Sequence, residues 1–257
     1  MSTHSPQDSV MTHPRPVLIL QLRPERDIAD SEFDCFLKYG GLQAAHTHRL
    51  RIEQTGIPAF LNLDDYSAII VGGSPFDIST PEQGKSPQQK KVEAGFTRLL
   101  QQVVERDFPF LGACSGNGLL GNHLGATISQ RYGEPVGCVS LTITAAGRED
   151  KLLHGLPPRI DALLGHKEAC DTTPEGAVLL VTGDVCPVQM FRVKDNIYAT
   201  QFHPEADADE FVLRINAYKN HGYFDPVEAE SLKREVRRSS TPHSREILRR
   251  FVAHYCS

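Results

Sequence analysis

The chain has 257 residues, 40% of them hydrophobic and 23% charged, with a formal net charge of −5. This is enough apolar material for one large α/β domain with a real core, and the weak negative balance gives no general attraction to nucleic acid. No apolar run approaches the ~20 residues that a membrane-spanning helix needs, so no membrane association is expected. Residues 1–16 are polar, carry Pro6, Pro14 and Pro16, and lack the apolar stretch of a signal peptide. They read as a flexible leader, and the protein as cytoplasmic. The six cysteines are dispersed with no C-x-x-C pair. That spacing predicts reduced thiols rather than a disulfide frame, and neither a metal site nor a cofactor is expected.

Val17–Leu22 is a near-continuous apolar run and predicts a first strand buried on both faces. Asp30 and Ser31 can cap a helix running to about Tyr39, ended by Gly40-Gly41. A second strand is predicted over His46–Ile52, with His46 and His48 as surface residues. Tyr66–Val71 is a clearer strand and delivers Gly72-Gly73-Ser74-Pro75. The polar loop Phe76–Ser86 could cover a site. Pro87–Arg106 predicts a long helix with Val92, Phe96, Leu99, Leu100 and Val103 facing inward.

Phe108–Leu111 predicts another buried strand. It runs into Gly112-Ala113-Cys114-Ser115-Gly116, followed by a helix from about Asn117 to Leu124. A strand that turns into a helix through G-x-C-x-G is the thiol form of a nucleophile elbow. Cys114 would sit at the first N–H groups of that helix, which favour a thiolate. Beyond it the pattern turns to strands, over Ala126–Arg131, Val136–Thr144, Arg159–Leu164, Ala177–Thr182, Pro187–Val193 and Ile197–Phe202, with a helical turn at Lys151–Leu153. Such a cluster fits an antiparallel addition to a parallel core.

The last of these strands delivers Gln201-Phe202-His203-Pro204-Glu205. His203 would stand at the carboxyl edge of the sheet. Glu205, two residues on, can accept one imidazole N–H and aim the other nitrogen at a thiol, which is the logic of nucleophile, base and orienter. Glycines at the end of a strand let backbone N–H groups turn to a ligand, so Gly72 and Gly73, with the Ser115 N–H, are candidates for an oxyanion site. Asp207 with Glu210 suggests a capping box for a helix to about Asn220. Two further helices are predicted, about Pro226–Arg237 and Pro242–Tyr255, the second with Thr241 as cap. Residues 231–250 hold seven Lys and Arg against two Glu, a basic tail on an acidic body.

GACSG followed by QFHPE, in this order and spacing, resembles the class I glutamine amidotransferases, above all the glutaminase portion of GMP synthase and its stand-alone relatives. The resemblance covers about Val17 to Gly222. It implies a flavodoxin-like α/β fold, with a mostly parallel central sheet flanked by helices. It divides the chain into a leader at 1–16, a catalytic domain at 17–222 and a helical extension at 223–257 packed on that domain. It makes Cys114 the nucleophile, His203 the base and Glu205 its orienter. It also implies that His166 and Lys167, in Gly165-His166-Lys167-Glu168, hold the amino-acid end of glutamine, and that ammonia passes to a separate synthetase subunit. One departure stands out. Where the family usually has glutamine four residues after the nucleophile, this chain has Gly118. That is expected to widen the pocket. Three readings follow: a glutaminase acting on glutamine, a γ-glutamyl hydrolase or peptidase on the same fold, or a non-catalytic regulatory relative.

Overall fold

The computed structural model describes residues 15–256, so the expected leader lies almost wholly outside the described residues. Val17–Gln21 is β1, and all five of its residues are buried. It is followed by α1 (Arg26–Gly40), β2 (Thr47–Arg51), a one-turn α2 (Ile52–Thr55), β3 (Ala68–Val71), α3 (Pro87–Arg106), β4 (Phe110–Ala113) and α4 (Ser115–His123). Then come β5 (Ile128–Ser129), β6 (Glu134–Ile143), α5 (Ala145–Glu149), β7 (Arg159–His166), β8 (Ala169–Cys170), β9 (Ala177–Thr182), β10 (Met190–Val193) and β11 (Ile197–Thr200). The helices α6 (Ala208–Tyr218), α7 (Ala229–Arg238) and α8 (Pro242–Tyr255) complete the described chain.

Nine strands form one sheet in the order β2-β1-β3-β4-β11-β10-β9-β6-β7. The pairs from β2 to β11 are parallel, and those from β11 to β7 are antiparallel. The sequence pattern has this cause: β1, β3, β4 and β11 lie in the middle of the sheet with helices on both faces, so both sides of each strand must be apolar. Alternate residues serve different layers. Leu18 and Leu20 pack with Val92, Phe96, Leu99, Leu100 and Val103 of α3, while Val17 and Ile19 pack with Phe36 of α1 and Ile247, Leu248 and Phe251 of α8. The apolar stripe of α8 is therefore covered by the sheet. A third cluster joins Leu163 to Phe211, Ile215, Ala229 and Val236, and seats α6 and α7 over the antiparallel part.

Several boundaries differ from expectation. α1 starts at Arg26, not after Asp30-Ser31, because Ile28 and Ala29 are buried and draw the helix back onto the core. Glu25 is its N-cap and makes no side-chain cap bond. Of Ala126–Arg131 only Ile128 and Ser129 pair, with β8 in a separate two-stranded sheet. The helical residues near 150 are Ala145–Glu149, capped by the Thr144 hydroxyl accepting from Gly147 N–H at 2.9 Å. Asp207 caps α6, but the Glu210 side chain turns to Arg214 instead of back to the cap, so the box is only half formed. Thr241 makes no side-chain cap bond to α8. Among the described residues, no helix is long and apolar enough to cross a membrane.

Parallel order brings several loops to one edge. Strand order reverses between β2 and β3 on either side of β1, and ligands of open α/β sheets bind outside the carboxyl ends of strands at such a reversal. Arg23 follows β1 there, Gly72-Gly73 follows β3, Cys114 follows β4 and Gln201-Phe202-His203 follows β11.

Candidate active site

Cys114 has φ 54° and ψ −95°, one of three non-glycine residues with positive φ among those described. This is the strained turn of a nucleophile elbow, and it is held on both sides. Cys114 N–H donates to Thr200 O at 2.7 Å, and its own carbonyl accepts from Asn117 N–H at 2.9 Å. The two flanking glycines are not equivalent. A Cβ on Gly112 would lie 2.8–2.9 Å from backbone atoms of Gly116, so the turn closes only with glycine there. A Cβ on Gly116 would meet nothing nearer than Val71 at 3.5 Å.

His203 is 3% exposed and Glu205 is fully buried. His203 Nδ1 lies 2.7 Å from Glu205 Oε1. With the carboxylate ionised, Nδ1 carries the proton and Nε2 keeps its lone pair. Burial pushes the imidazole down to about 4, and the nearby Arg214 adds to this. Burial would raise the Glu205 carboxyl, but His203 and Arg214 outweigh it and hold it at about 2. Burial pushes the Cys114 thiol up to about 11 against the pull of Arg23 and Arg214. The expectation that the helix N-terminus makes a resting thiolate is thus overridden by desolvation. The resting pair is a neutral thiol and a neutral imidazole on one cleft. In this state the sulfur accepts only a long bond from Gln201 Nε2, 3.9 Å, among the described residues.

Behind the histidine is a buried charge network that the sequence pattern does not announce. Arg23 Nε donates to Glu32 Oε1 at 2.8 Å. Arg214 Nη2 donates to Glu205 Oε1 at 3.0 Å and lies 3.5 Å from Glu32 Oε1, while its Nε pairs with Glu210. Gly73 N–H donates to Glu32 Oε1 at 3.3 Å, and Gly72 N–H to Leu20 O at 3.0 Å. Both glycine N–H groups that were candidates for the oxyanion site are therefore committed in this state. Ser115, as the first residue of α4, keeps an N–H with no intrahelical partner, and its hydroxyl donates to Gly72 O at 2.9 Å.

Two clefts meet at Cys114, and Ser74, Gly165 and Tyr223 line both. One, of about 360 Å³, is lined by Asp77, Gly118, His166, Lys167, Glu168 and Gln201. His166 lines it, but its ring is buried and tied, with Nε2 3.0 Å from Glu134 Oε2 and Nδ1 3.0 Å from Glu168 O. Lys167 Nζ lies 3.5 Å from Asp77 and 4.6 Å over the Tyr223 ring. Glu168 accepts Ile78 N–H at 2.6 Å and Ser79 N–H at 2.8 Å, clamping the 76–86 loop beside the cleft. The expected widening at Gly118 does not occur: a Cβ there would lie 2.9 Å from Ile78 Cδ1, so Ile78 occupies the side-chain space. The second cleft, of about 400 Å³, lies on the His203 side and is lined by Arg23, Arg214 and Tyr218. Glu134, His166 and Cys186 bring donor atoms within 4.8 Å of one another and are the described residues that could ligate an ion. Their polar atoms already have partners, since Gln189 Nε2 also donates to Glu134 Oε2, at 2.6 Å.

Sequence comparison agrees with the geometry. Residues 38–218 match the family model of class-I glutamine amidotransferases. The smaller, glutamine-hydrolyzing component of the GMP synthase of Sulfurisphaera tokodaii is 32% identical over 159 residues, 62% of this chain and 76% of that one. The glutamine-hydrolyzing GMP synthase of Streptomyces avermitilis is 25% identical over 174 residues, 65% of this chain, and the match spans only 30% of that longer protein. Among solved structures, a glutamine amidotransferase from Thermotoga maritima has the same fold, with a TM-score of 0.74 at 20% identity, covering 95% of this chain and 100% of that chain. One from Methylobacillus flagellatus gives 0.67 at 19% identity, covering 95% and 96%. An elbow cysteine, a carboxylate-held histidine and a family match spanning most of the sheet point the same way: the chain belongs to the class-I glutamine amidotransferases.

Proposed function

We propose that this chain releases ammonia from the side-chain amide of glutamine through a glutamyl thioester on Cys114. The observation that carries this is the His203–Glu205 pair, 2.7 Å apart and sharing one cleft with the elbow cysteine. The glutamyl group occupies the cleft beside Gly118, its carboxylate towards Lys167 and its ammonium towards Asp77. As the sulfur attacks the amide carbon, the thiol proton passes to Nε2 of His203. The oxyanion forms beside the Ser115 N–H, and Gly73 joins it on turning its N–H away from Glu32. The imidazolium, held by Glu205, then protonates the amide nitrogen and ammonia departs. His203 next takes a proton from water, which cleaves the thioester to glutamate and restores the thiol.

The starting charge state supports this order. A neutral thiol beside a neutral imidazole generates its nucleophile only as the bond forms, so a desolvated site avoids a standing ion pair. The likeness to proteins named as one component of GMP synthase supports a separate synthetase chain as the ammonia acceptor. The six free cysteines suit the reducing cytoplasm, where we place the reaction. We take residues 17–222 as the catalytic unit and α7 and α8 as its extension.

The test is glutamate and ammonia release from glutamine by the purified chain, alone and with a co-purified synthetase, beside a Cys114→Ala control. Equal release by the control, or none in either setting, overturns the reading.

A further inference from the structure

The cleft on the His203 side has no task in a reaction whose leaving group is ammonia. It is nevertheless as large as the cleft that takes the glutamyl group, about 400 Å³ against 360 Å³. Its position follows from the mechanism. The amide nitrogen must point at His203 to be protonated, so any substituent on that nitrogen extends into the space that His203 lines.

The chemistry of the wall is specific. Arg23 and Arg214 are each 5% exposed, and both line this cleft. Their carboxylate partners Glu32, Glu205 and Glu210 stand behind them, and no described acidic side chain lines it. Arg23 spends Nε on Glu32 and Nη1 on the Tyr218 hydroxyl, at 3.3 Å, which leaves Nη2 without a partner among the described residues. Nη2 lies against Gly73: a Cβ there would strike it and would also stand 3.0 Å from His203 Cε1. The guanidinium therefore reaches the reacting centre from the leaving-group side. On Arg214, Nη1 is buried and also lacks a partner among the described residues. An orphaned donor in a buried guanidinium is costly, and an anion placed between two of them relieves that cost. Val136 and Phe211 supply apolar wall beside them.

We propose that this cleft is a leaving-group subsite for a carboxylate, so that the site also accepts γ-glutamyl amides whose nitrogen belongs to an amino acid. Arg23 Nη2 holds that carboxylate, and Arg214 supports it from behind. The inference rests on the thioester chemistry proposed above and adds a substrate class to it. The balance is simple. The Cys114 sulfur bonds to the γ-carbonyl carbon, the C–N bond breaks, and the thiol proton travels through His203 to the departing amino group. Water then supplies hydroxide to the thioester carbon and returns a proton to sulfur, so the net reaction is hydrolysis to glutamate and a free amino acid.

The test separates binding from turnover. Cys114→Ala full-length chain is titrated calorimetrically with γ-glutamylglycine and with γ-glutamylmethylamide, which fills similar space without the carboxylate. The subsite predicts tighter binding of γ-glutamylglycine by about tenfold or more, the worth of a charge-assisted hydrogen bond. Adding Arg23→Lys, which keeps the charge beside Glu32 but removes the fork, should cut that ratio several-fold. Equal affinities, tighter binding of the methylamide, or no binding of either at millimolar concentration overturns the subsite. Failure of the thioester chemistry reads out separately, as wild-type chain releasing no glutamate from glutamine or from γ-glutamylglycine.

Discussion

Arg214 Nη2 and His203 Nδ1 converge on the same oxygen, Oε1 of Glu205, at 3.0 and 2.7 Å. The orienting carboxylate is therefore held from two sides in a place where it is fully buried. Without the guanidinium, Glu205 would face desolvation with only a neutral imidazole beside it. Arg214→Met should cost about 3–5 kcal/mol, the usual penalty for orphaning one partner of a buried ion pair. Arg214→Lys, which keeps the charge and loses the fork, should cost less. Urea unfolding measures both. A loss under about 1 kcal/mol for Arg214→Met would mean that the pair is not what holds Glu205.

The protonation states give a pH profile unlike that of a free imidazole. His203 stays neutral down to about 4 and the Cys114 thiol stays protonated up to about 11. Glutaminase kcat/KM should therefore remain level through neutral pH, with its acid limb near 4 rather than near 6.5. Initial rates across that range decide it. An acid limb near 6.5 would show that the imidazole is solvated in the working enzyme.

Stability should follow a different pair of groups. Burial, against the pull of Arg214 and Arg23, raises Glu210 from 4.5 to about 7, so its contribution is complete below 4.5 and is lost as pH rises through 7. His203 is lowered from 6.5 to about 4, so its contribution is complete above 6.5 and is lost as pH falls to 4. Between 4.5 and 6.5 the two slopes oppose each other. Glu210→Gln removes one of them, and its Tm should then fall on acidification from pH 6.5 to 4.5 more steeply than that of the wild type. Parallel Tm curves would refute the assignment of Glu210.

The elbow makes a sharp distinction between its two glycines. At Gly112 an added Cβ would collide with the backbone of Gly116, which cannot give way without opening the strand-to-helix turn. Gly112→Ala should cost more than about 3 kcal/mol, at or beyond the upper end of ordinary overpacking. Gly116→Ala meets only ordinary van der Waals distances and sits in a helix, so its stability should stay within about 1 kcal/mol of wild type. Similar losses from both would contradict the turn geometry.

Periodicity marks what faces a helix or a neighbouring strand, and for that reason the strands Val17–Gln21 and Ala68–Val71 and the inward face of α3 were readable beforehand. G-x-C-x-G and His-Pro-Glu were readable because their spacing is local: each motif lies within five residues and sits at a strand end. The arginine network was not. Arg23 and Arg214 are 191 positions apart and meet only through the order of strands in the sheet, as do Glu134, His166 and Cys186. The one local hint was Arg23 itself, a cation directly after a buried strand, at the edge where parallel sheets place their ligands. His166 shows the converse. A polar Gly-His-Lys-Glu run reads as a binding turn, yet pairing of β6 with β7 carries the ring to Glu134 and consumes it there.

Gly118 and Ile78 form a coupled pair that sequence alone presents as a missing side chain. Ile78 Cδ1 stands 2.9 Å from where a Cβ on Gly118 would be, and the backbone N–H groups of Ile78 and Ser79 are clamped by Glu168. The clamp stops the loop from retreating, so only the isoleucine side chain can give. Gly118→Gln alone should therefore destabilise the chain and raise the KM for glutamine, by crowding the glutamyl cleft. Ile78→Ala vacates the space, and the double variant should be more stable than the sum of the single changes by about 0.5–3 kcal/mol. A double-mutant cycle read by urea unfolding and by glutamine KM checks both effects. Additivity within about 0.3 kcal/mol would show that the two side chains do not compete for one volume, and that Gly118 leaves the pocket wider after all.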